Sequence, residues 1–168
     1  MAIEDHQDIV KSIAWDTEVQ TRAFAETLAG KLHTSRTDSQ TLIQLHGDLG
    51  AGKTTLVRYV LKALGVQGRV KSPTYAVVEP YTVEGAASAG DLNIWHFDFF
   101  RFNDPDEWEE AGFRDIFASP GLKLVEWPEK AGSHLPPADL DIHLEMLANE
   151  TRAVTLTAHT AAGAALMP

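Results

Sequence analysis

Cysteine is absent from this chain of 168 residues. Its absence excludes disulfides, thiolate metal ligands and a thiol nucleophile, and it is compatible with a reducing compartment. Long apolar runs are absent as well, since none approaches the roughly 20 residues that span a bilayer. Residues 1–10 carry acids rather than the basic stretch that opens a signal peptide. We therefore expect a cytoplasmic protein without a membrane partner.

Positive charge is scarce, because 24 acidic residues outnumber 14 basic ones and leave a net charge of -10. Such a chain does not dock broadly on nucleic acid, so any contact with RNA is expected to be local or indirect. The charge is also uneven, since basic residues predominate in residues 47–72 and acidic residues in residues 98–130. These segments are either solvated faces or a pair that meets around a polyanion and its metal ion.

Composition and periodicity favour one folded α/β domain. The length fits a single domain, and the apolar share of 44% and the charged share of 23% are ordinary for a globular protein. A capping-box pattern, Thr17-x-x-Gln20, starts a first helix. The later predicted elements are a strand over residues 41–45, a helix over 53–64, strands over 75–79 and 92–99 around a hairpin tip at 85–90, helical turns within 104–120, a strand over 122–125 and an antiparallel pair over 140–147 and 153–158. We assign residues 1–158 to the domain and expect 159–168 to be a frayed tail.

The pattern Gly47-x-x-x-x-Gly52-Lys53-Thr54 is typical of a P-loop between a strand and a helix. Glycine permits the bend that points successive backbone N–H groups at phosphate oxygens, and the helix adds the positive end of its dipole. Lys53 would then reach the β and γ phosphates, and the Thr54 hydroxyl would ligate Mg²⁺. The predicted nucleotide-binding residues of this segment are Gly47, Asp48, Leu49, Gly50, Ala51, Gly52, Lys53, Thr54 and Thr55.

Two acids at strand ends are candidates for completing a metal site. Asp98 lies near the end of the strand over 92–99, and Glu126 follows the strand over 122–125. Acids at the carboxyl ends of parallel strands face the crevice where ligands bind, so both would converge on one ion, although each alone could be an exposed strand terminus. Glu126 would hold the ion or orient the attacking water.

The histidine pattern does not indicate a zinc site, because no HExxH or paired metal-ligand spacing occurs. His46 precedes the P-loop and His96 lies two residues before Asp98. Packing or support of the neighbouring acids is the expected role of both. The chain also has no NKxD motif for reading guanine, which favours ATP over GTP.

Four segments in this order, GDLGAGKTT (47–55), SPTY (72–75), HFDFFR (96–101) and VEWPE (125–129), resemble the bacterial TsaE family, also called YjeE. The resemblance spans residues 10–158. It implies a P-loop ATPase needed for threonylcarbamoyladenosine at position 37 of tRNA, with a parallel core sheet flanked by antiparallel strands. It also implies that Thr54, Asp98 and Glu126 form the Mg²⁺ and hydrolytic site, beside the catalytic Lys53 of the P-loop. TsaB and TsaD are the partner subunits that it implies, with tRNA contacted only indirectly.

The same resemblance suggests roles for three further residues. Thr74 falls in a switch-like segment, where its hydroxyl would sense the γ-phosphate or its ion, although Ser-Pro also starts ordinary turns. Trp127 would stack on a partner or cover the nucleotide, and Arg152 would lie near the adenine or be a plain surface charge. Phe99, Phe100 and Tyr75 depart from the commoner family residues, as does an extended hairpin over 84–91.

Two other functions remain open at the level of sequence. In a small-molecule kinase, Asp98 would activate an acceptor hydroxyl, and Arg101 or Arg114 could serve as the lid arginine. A non-catalytic module would bind nucleotide only to set its shape for a partner. Phosphate release without an acceptor separates an ATPase from a kinase, and the Glu126→Ala variant separates an ATPase from a pure binder.

Overall fold

The computed structural model describes residues 7–34, 40–87 and 90–168, and within these ranges the chain forms a sheet of seven strands. The strands are β1 (Ile9–Trp15), β2 (Gln40–His46), β3 (Val78–Ala87), β4 (Gly90–Asp98), β5 (Gly121–Glu126), β6 (Leu140–Met146) and β7 (Arg152–Ala158). The helices are α1 (Glu18–Thr34), α2 (Lys53–Leu64), α3 (Glu107–Glu110), α4 (Arg114–Phe117) and α5 (Ala161–Ala165), with 3-10 segments at Pro128–His134 and Ala148–Glu150. In the described part of the chain, no helix is long and apolar enough to cross a bilayer.

The strand order β1-β7-β6-β2-β5-β4-β3 confirms a parallel core flanked by antiparallel strands. β2 pairs in parallel with β5 and with β6, and β4 pairs in parallel with β5. β7 and β1 continue the sheet antiparallel to β6 on one side, and β3 pairs antiparallel with β4 on the other. The carboxyl ends of β2, β4 and β5 therefore meet at one edge, where ligands bind in open α/β sheets.

Two cores cover the two faces of the sheet because successive strand residues point to opposite sides. The first, here called the aliphatic core, joins α1 and α2 to residues such as Ile94 and Leu124. The second, here called the aromatic core, lies around Phe97 and Val125 and is closed by the short helices α3 and α4. Its buried members are Leu42, Phe97, Phe99, Phe102, Trp108, Phe113, Phe117, Val125, Ala131 and Ala138.

The first helix begins at the predicted capping pattern, in which the Gln20 side chain reaches back to the Thr17 backbone while the Thr17 carbonyl, rather than its hydroxyl, accepts from Gln20. The Thr17 backbone N–H donates to Gln20 Oε1 at 3.2 Å, and the Gln20 backbone N–H donates to the Thr17 carbonyl at 3.1 Å. Phe24, Leu28 and Leu32 are buried and belong to the helical stripe that faces the aliphatic core. The helix is therefore fixed at its start by local hydrogen bonds and along its length by tertiary packing.

The β3–β4 hairpin differs from its predicted boundaries. The strand expected over 75–79 starts only at Val78, because residues 73–77 form a turn closed by the Val77 backbone N–H and the Pro73 carbonyl at 2.7 Å. The tip expected at 85–90 is shorter, since β3 runs to Ala87 and β4 begins at Gly90, with residues 88–89 outside the described ranges. β1 was not predicted, because most of its side chains are exposed and its burial does not alternate.

The C-terminal residues also differ from the frayed tail expected at 159–168. The Thr160 hydroxyl accepts a hydrogen bond from the Gly163 backbone N–H at 3.0 Å and so caps α5. Gly163 packs on the Asp139 carbonyl so closely that a Cβ would overlap it, and Leu166 is buried in the aliphatic core. The small residues of this segment therefore allow close packing. Composition alone does not show whether a segment rich in alanine and glycine is packed or frayed.

Candidate functional site

The loop between β2 and α2 has the bend that a phosphate cradle requires. Gly47 has φ 147° and Gly52 has φ 106°, both in the region that L side chains rarely adopt. A Cβ on Gly47 would overlap the Leu144 carbonyl oxygen, and one on Gly52 would lie 2.9 Å from Arg152 Nε. Glycine is therefore required at both positions by backbone conformation, and at Gly47 also by space.

Lys53 begins α2 and lies beneath the loop rather than in solvent. Its Nζ donates to the Gly47 carbonyl and lies 3.8 Å from the ring centroid of Trp127. Burial lowers the pKa of Lys53, and the carboxylates of Glu126, Glu129, Asp98 and Asp48 oppose that shift. The ammonium group is thus held among acids at the positive end of a helix, next to the place where phosphates would bind.

Glu126 links the P-loop helix to the centre of the sheet. The Thr54 hydroxyl donates to Glu126 Oε1 at 2.8 Å, and His96 Nε2 lies 2.6 Å from Glu126 Oε2. Both side chains are buried, Glu126 as the last residue of β5 and His96 two residues before the end of β4. The two contacts fix the carboxylate orientation, and the position of His96 agrees with the supporting role expected from the sequence.

Asp98 lies beside Glu126, because the two residues are register partners at the ends of β4 and β5. The Phe100 backbone N–H donates to Asp98 Oδ1 at 2.9 Å, and the Asp98 backbone N–H donates to the Val77 carbonyl at 2.9 Å. Burial and the neighbouring Glu126 carboxylate raise the pKa of Asp98, while the Phe100 N–H opposes the shift. Two carboxylates at such close quarters would be stabilised by a cation between them.

These groups surround a cleft of about 290 Å³. Every predicted site residue lines it except Gly47, whose carbonyl accepts a hydrogen bond from Lys53 Nζ. Phe100 also lines the cleft, 5.0 Å from Trp127 between ring centroids, and it was not among the predicted site residues. The lining is Asp48, Leu49, Gly50, Ala51, Gly52, Lys53, Thr54, Thr55, Thr74, Asp98, Phe100, Glu126, Trp127 and Arg152.

Thr74 and Arg152 reach the cleft from segments distant in sequence from the P-loop. Thr74 Oγ1 lies 2.8 Å from Ser72 Oγ within the SPTY turn. Arg152, at the start of β7, donates from Nε to the Ala51 carbonyl at 2.8 Å. Arg152 therefore holds the P-loop backbone in place. The sequence did not predict this contact, because the two residues are 101 positions apart in the chain.

The donor set fits magnesium better than a metal held by protein alone. Across residues 7–34, 40–87 and 90–168, no group of three or more His, Cys, Asp or Glu side chains has the geometry of a metal site. Thr54, Glu126 and Asp98 instead supply hydroxyl and carboxylate oxygens beside the glycine loop. Mg²⁺ is commonly bound by one or two protein groups together with phosphate oxygens and water, so the residues present fit that ion.

The family of the chain follows from its match to the family model described as Threonylcarbamoyl adenosine biosynthesis protein TsaE, which covers residues 15–154. The chain belongs to the TsaE family. The role of that family lies in the biosynthesis of threonylcarbamoyladenosine in tRNA. The resemblance drawn from the four sequence segments is thereby confirmed.

Individual relatives agree with this assignment. The chain is 43% identical over 142 residues to the tRNA threonylcarbamoyladenosine biosynthesis protein TsaE of Haemophilus influenzae, covering 84% of this chain and 83% of the relative. It is 32% identical over 151 residues to the Bacillus subtilis protein of the same name, covering 89% and 87%. The crystal structure of Bacillus subtilis YdiB superposes with a TM-score of 0.73 at 25% identity, covering 96% of this chain and 94% of that one.

Proposed function

We propose that the chain is a Mg²⁺-dependent ATP hydrolase that acts as an accessory subunit in the formation of threonylcarbamoyladenosine at position 37 of tRNA. The observation that carries the proposal is the 2.8 Å hydrogen bond between Thr54 and Glu126, which places a hydroxyl and a carboxylate together at the start of α2. Asp98 adds a second carboxylate from the neighbouring strand. This is the constellation that phosphoryl transfer to water requires.

Each residue has a role that follows from its contacts. Lys53 and the loop amides stabilise negative charge on the phosphates, since they lie at the positive end of α2. Thr54 and Asp98 would hold Mg²⁺, which when bound neutralises charge on the phosphate oxygens. Glu126 would share the ion or accept a hydrogen bond from the attacking water, and its orientation is already set by His96 and Thr54.

The context of the reaction is proposed from the family and from the charge of the chain. Hydrolysis would reset a complex with TsaB and TsaD, which carry out the transfer to tRNA. A net charge of -10 suits an auxiliary subunit better than a main tRNA-binding one, so tRNA would be contacted only indirectly. A cytoplasmic location would follow from this role.

The decisive experiment measures phosphate release from ATP with and without Mg²⁺, and with and without purified TsaB and TsaD. We expect slow release that requires Mg²⁺ and increases when the two subunits are added. Glu126→Gln should abolish release, whereas Glu110→Gln, which removes an exposed carboxylate outside the cleft, should not. No release under any condition would refute the hydrolase, and release indifferent to the subunits would refute the accessory role.

The two arginines proposed as lid residues of a kinase do not line the cleft. Arg101 lies over the Tyr75 ring at 4.1 Å, and Arg114 pairs with Glu109, so neither lines the cleft in the described structure. Phosphate release without an acceptor would exclude a strict kinase. The non-catalytic alternative predicts that Glu126→Ala keeps its function with the partner subunits even though ATP turnover is abolished. Loss of that function would favour the hydrolase.

A further inference from the structure

Val77 has a backbone conformation that its side chain disfavours. Its φ is 69°, in the left-handed region, where a β-branched residue is a genuine outlier. Three other non-glycine residues have positive φ among those described: Trp127, Asn149 and Glu150. Val77 alone of these four is β-branched, so its conformation must be imposed by its surroundings.

Three contacts impose it. The Val77 backbone N–H donates to the Pro73 carbonyl at 2.7 Å, and the Val77 carbonyl accepts from the Asp98 backbone N–H at 2.9 Å. The side chain packs against the aromatic core. Rotation of Val77 into the extended region would move both of its peptide groups and would break these hydrogen bonds.

These contacts connect two parts of the candidate site. Residues 73–77 form the turn that brings Thr74 to the cleft, and the far end of that turn is fixed to the backbone of Asp98. Regular pairing between β3 and β4 starts one residue later, with Val78 opposite Phe97. The position of Thr74 relative to Asp98 therefore depends on one residue in a strained conformation rather than on a continuous ladder.

We propose that Val77 is a strained hinge, and that it acts as a positioning residue which holds the Thr74 turn in register with Asp98. The strain favours release of the turn, and the contacts to Pro73, Asp98 and the aromatic core favour the observed form. Such a balance makes the turn a two-state element whose equilibrium a nucleotide can shift. The inference rests on the proposed function, because Thr74 is taken to respond to the γ-phosphate or its ion.

The test compares Val77→Gly with Val77→Ala in the full chain. Both variants lose the same γ-methyl groups from the aromatic core, but only alanine keeps the Cβ that is strained at positive φ. Hydrogen exchange of the Asp98 amide reports opening of the turn without reference to activity. We expect this amide to exchange about fivefold more slowly in Val77→Gly than in Val77→Ala, with Val77→Asn between them because asparagine tolerates the left-handed region.

A second measurement tests whether Val77 positions Thr74 for the nucleotide or only stabilises the turn. The ratio of Mg²⁺–ATP affinity to Mg²⁺–ADP affinity, measured by calorimetry, should be severalfold higher in Val77→Gly than in Val77→Ala. In a Thr74→Ala background the two variants should give the same ratio, because the group that the hinge positions is gone. The difference in Asp98 exchange should persist in that background.

Each contrary outcome overturns a different claim. Equal Asp98 exchange in the glycine and alanine variants would show that Val77 is not a strained hinge. Different exchange with equal affinity ratios would show that the hinge does not position Thr74. If the unsubstituted chain bound no Mg²⁺–ATP, the proposed function would fail and the role of Thr74 with it, while the exchange data would still decide whether the hinge exists.

Discussion

The aliphatic and aromatic cores lie on opposite faces of one sheet and are built differently. Against the aliphatic core pack two helices of 17 and 12 residues, α1 and α2, whose buried positions recur at helical spacing. Against the aromatic core pack α3 and α4, of four residues each, which are too short to present a regular face. Large rings fill that face instead, since each buries more surface than an aliphatic side chain.

The candidate site lies where these two halves meet. α2 brings Lys53 and Thr54 from the aliphatic side, whereas Phe100 and Trp127 come from segments next to the aromatic core. The regular half thus supplies the glycine loop and the helix that follows it, whereas the irregular half supplies aromatic side chains that line the same cleft. Substitutions in and beside the two cores test this contrast.

The largest effect is expected from Phe97→Ala. Phe97 is fully buried and touches Phe99, Phe113 and Phe117 at ring-centroid distances of 5.6, 5.1 and 4.7 Å. We expect a loss of about 3–5 kcal/mol in the free energy of unfolding, measured in urea. Leu61→Ala in the aliphatic core should cost a similar amount, but Mg²⁺–ATP affinity should fall more in Phe97→Ala because Asp98 is the next residue. Equal losses of affinity would end the functional distinction between the cores.

Glu126→Ala should lose about 2 kcal/mol of unfolding free energy, because it leaves buried His96 without its Nε2 partner. His96 Nδ1 already has no hydrogen-bond partner in the described structure, so the ring would have none. Glu126→Gln can still bond His96 and should stay within about 1 kcal/mol of the unsubstituted chain. Thermal unfolding of the two variants checks this, and equal losses would mean that the hydrogen bond does not stabilise the sheet.

Lys123→Met should stabilise the chain by about 2 kcal/mol at pH 7, since the aromatic side of the sheet buries this charge. Burial lowers the pKa of Lys123 to about 8, from 10.5 in the unfolded chain. The cost of the buried charge is therefore complete below pH 8 and disappears as pH rises from 8 to 10.5. Unfolding in urea should show the gain shrinking over that range, and a gain independent of pH would rule out this cause.

The smallest effect is expected from His159→Gln, at the residue that follows the end of β7. The Asp141 hydrogen bond raises the pKa of His159, burial opposes it, and Asp8 adds to the increase. The stabilisation that His159 contributes is therefore complete below its unfolded-state pKa near 6.5, and it is lost as the pH rises through its higher pKa in the folded state. We expect a loss under about 1 kcal/mol at pH 6 and almost none at pH 9, measured by thermal unfolding. A larger loss at pH 9 would contradict this sign.

Local signals were sufficient for the regular half of the molecule. The spacing from Gly47 to Thr54 identified the loop, and the helical period after Lys53 identified α2 up to Gly65. The strand ends at Asp98 and Glu126 were also found, because an apolar run followed by an acid is visible in the sequence. These features depend on residues close together along the chain.

The features that the sequence did not predict depend on contacts over long separations. β1 is a strand because β7 pairs with it, and Arg152 braces Ala51 because β7 places it there. α5 packs because Gly163 fits against Asp139. Phe100 could have been suspected as an aromatic residue beside Asp98, but its exposure to the cleft depends on the turn that follows β4.

The P-loop, the family and the candidate acids can all be recognised from the chain alone, because glycine spacing and residue chemistry are local properties. Folding was needed to bring Thr54 to Glu126, 72 residues away, and to fix Asp98 to a valine in the left-handed region. Such positions arise when strands align and cores pack, and no short segment contains the information needed to set them.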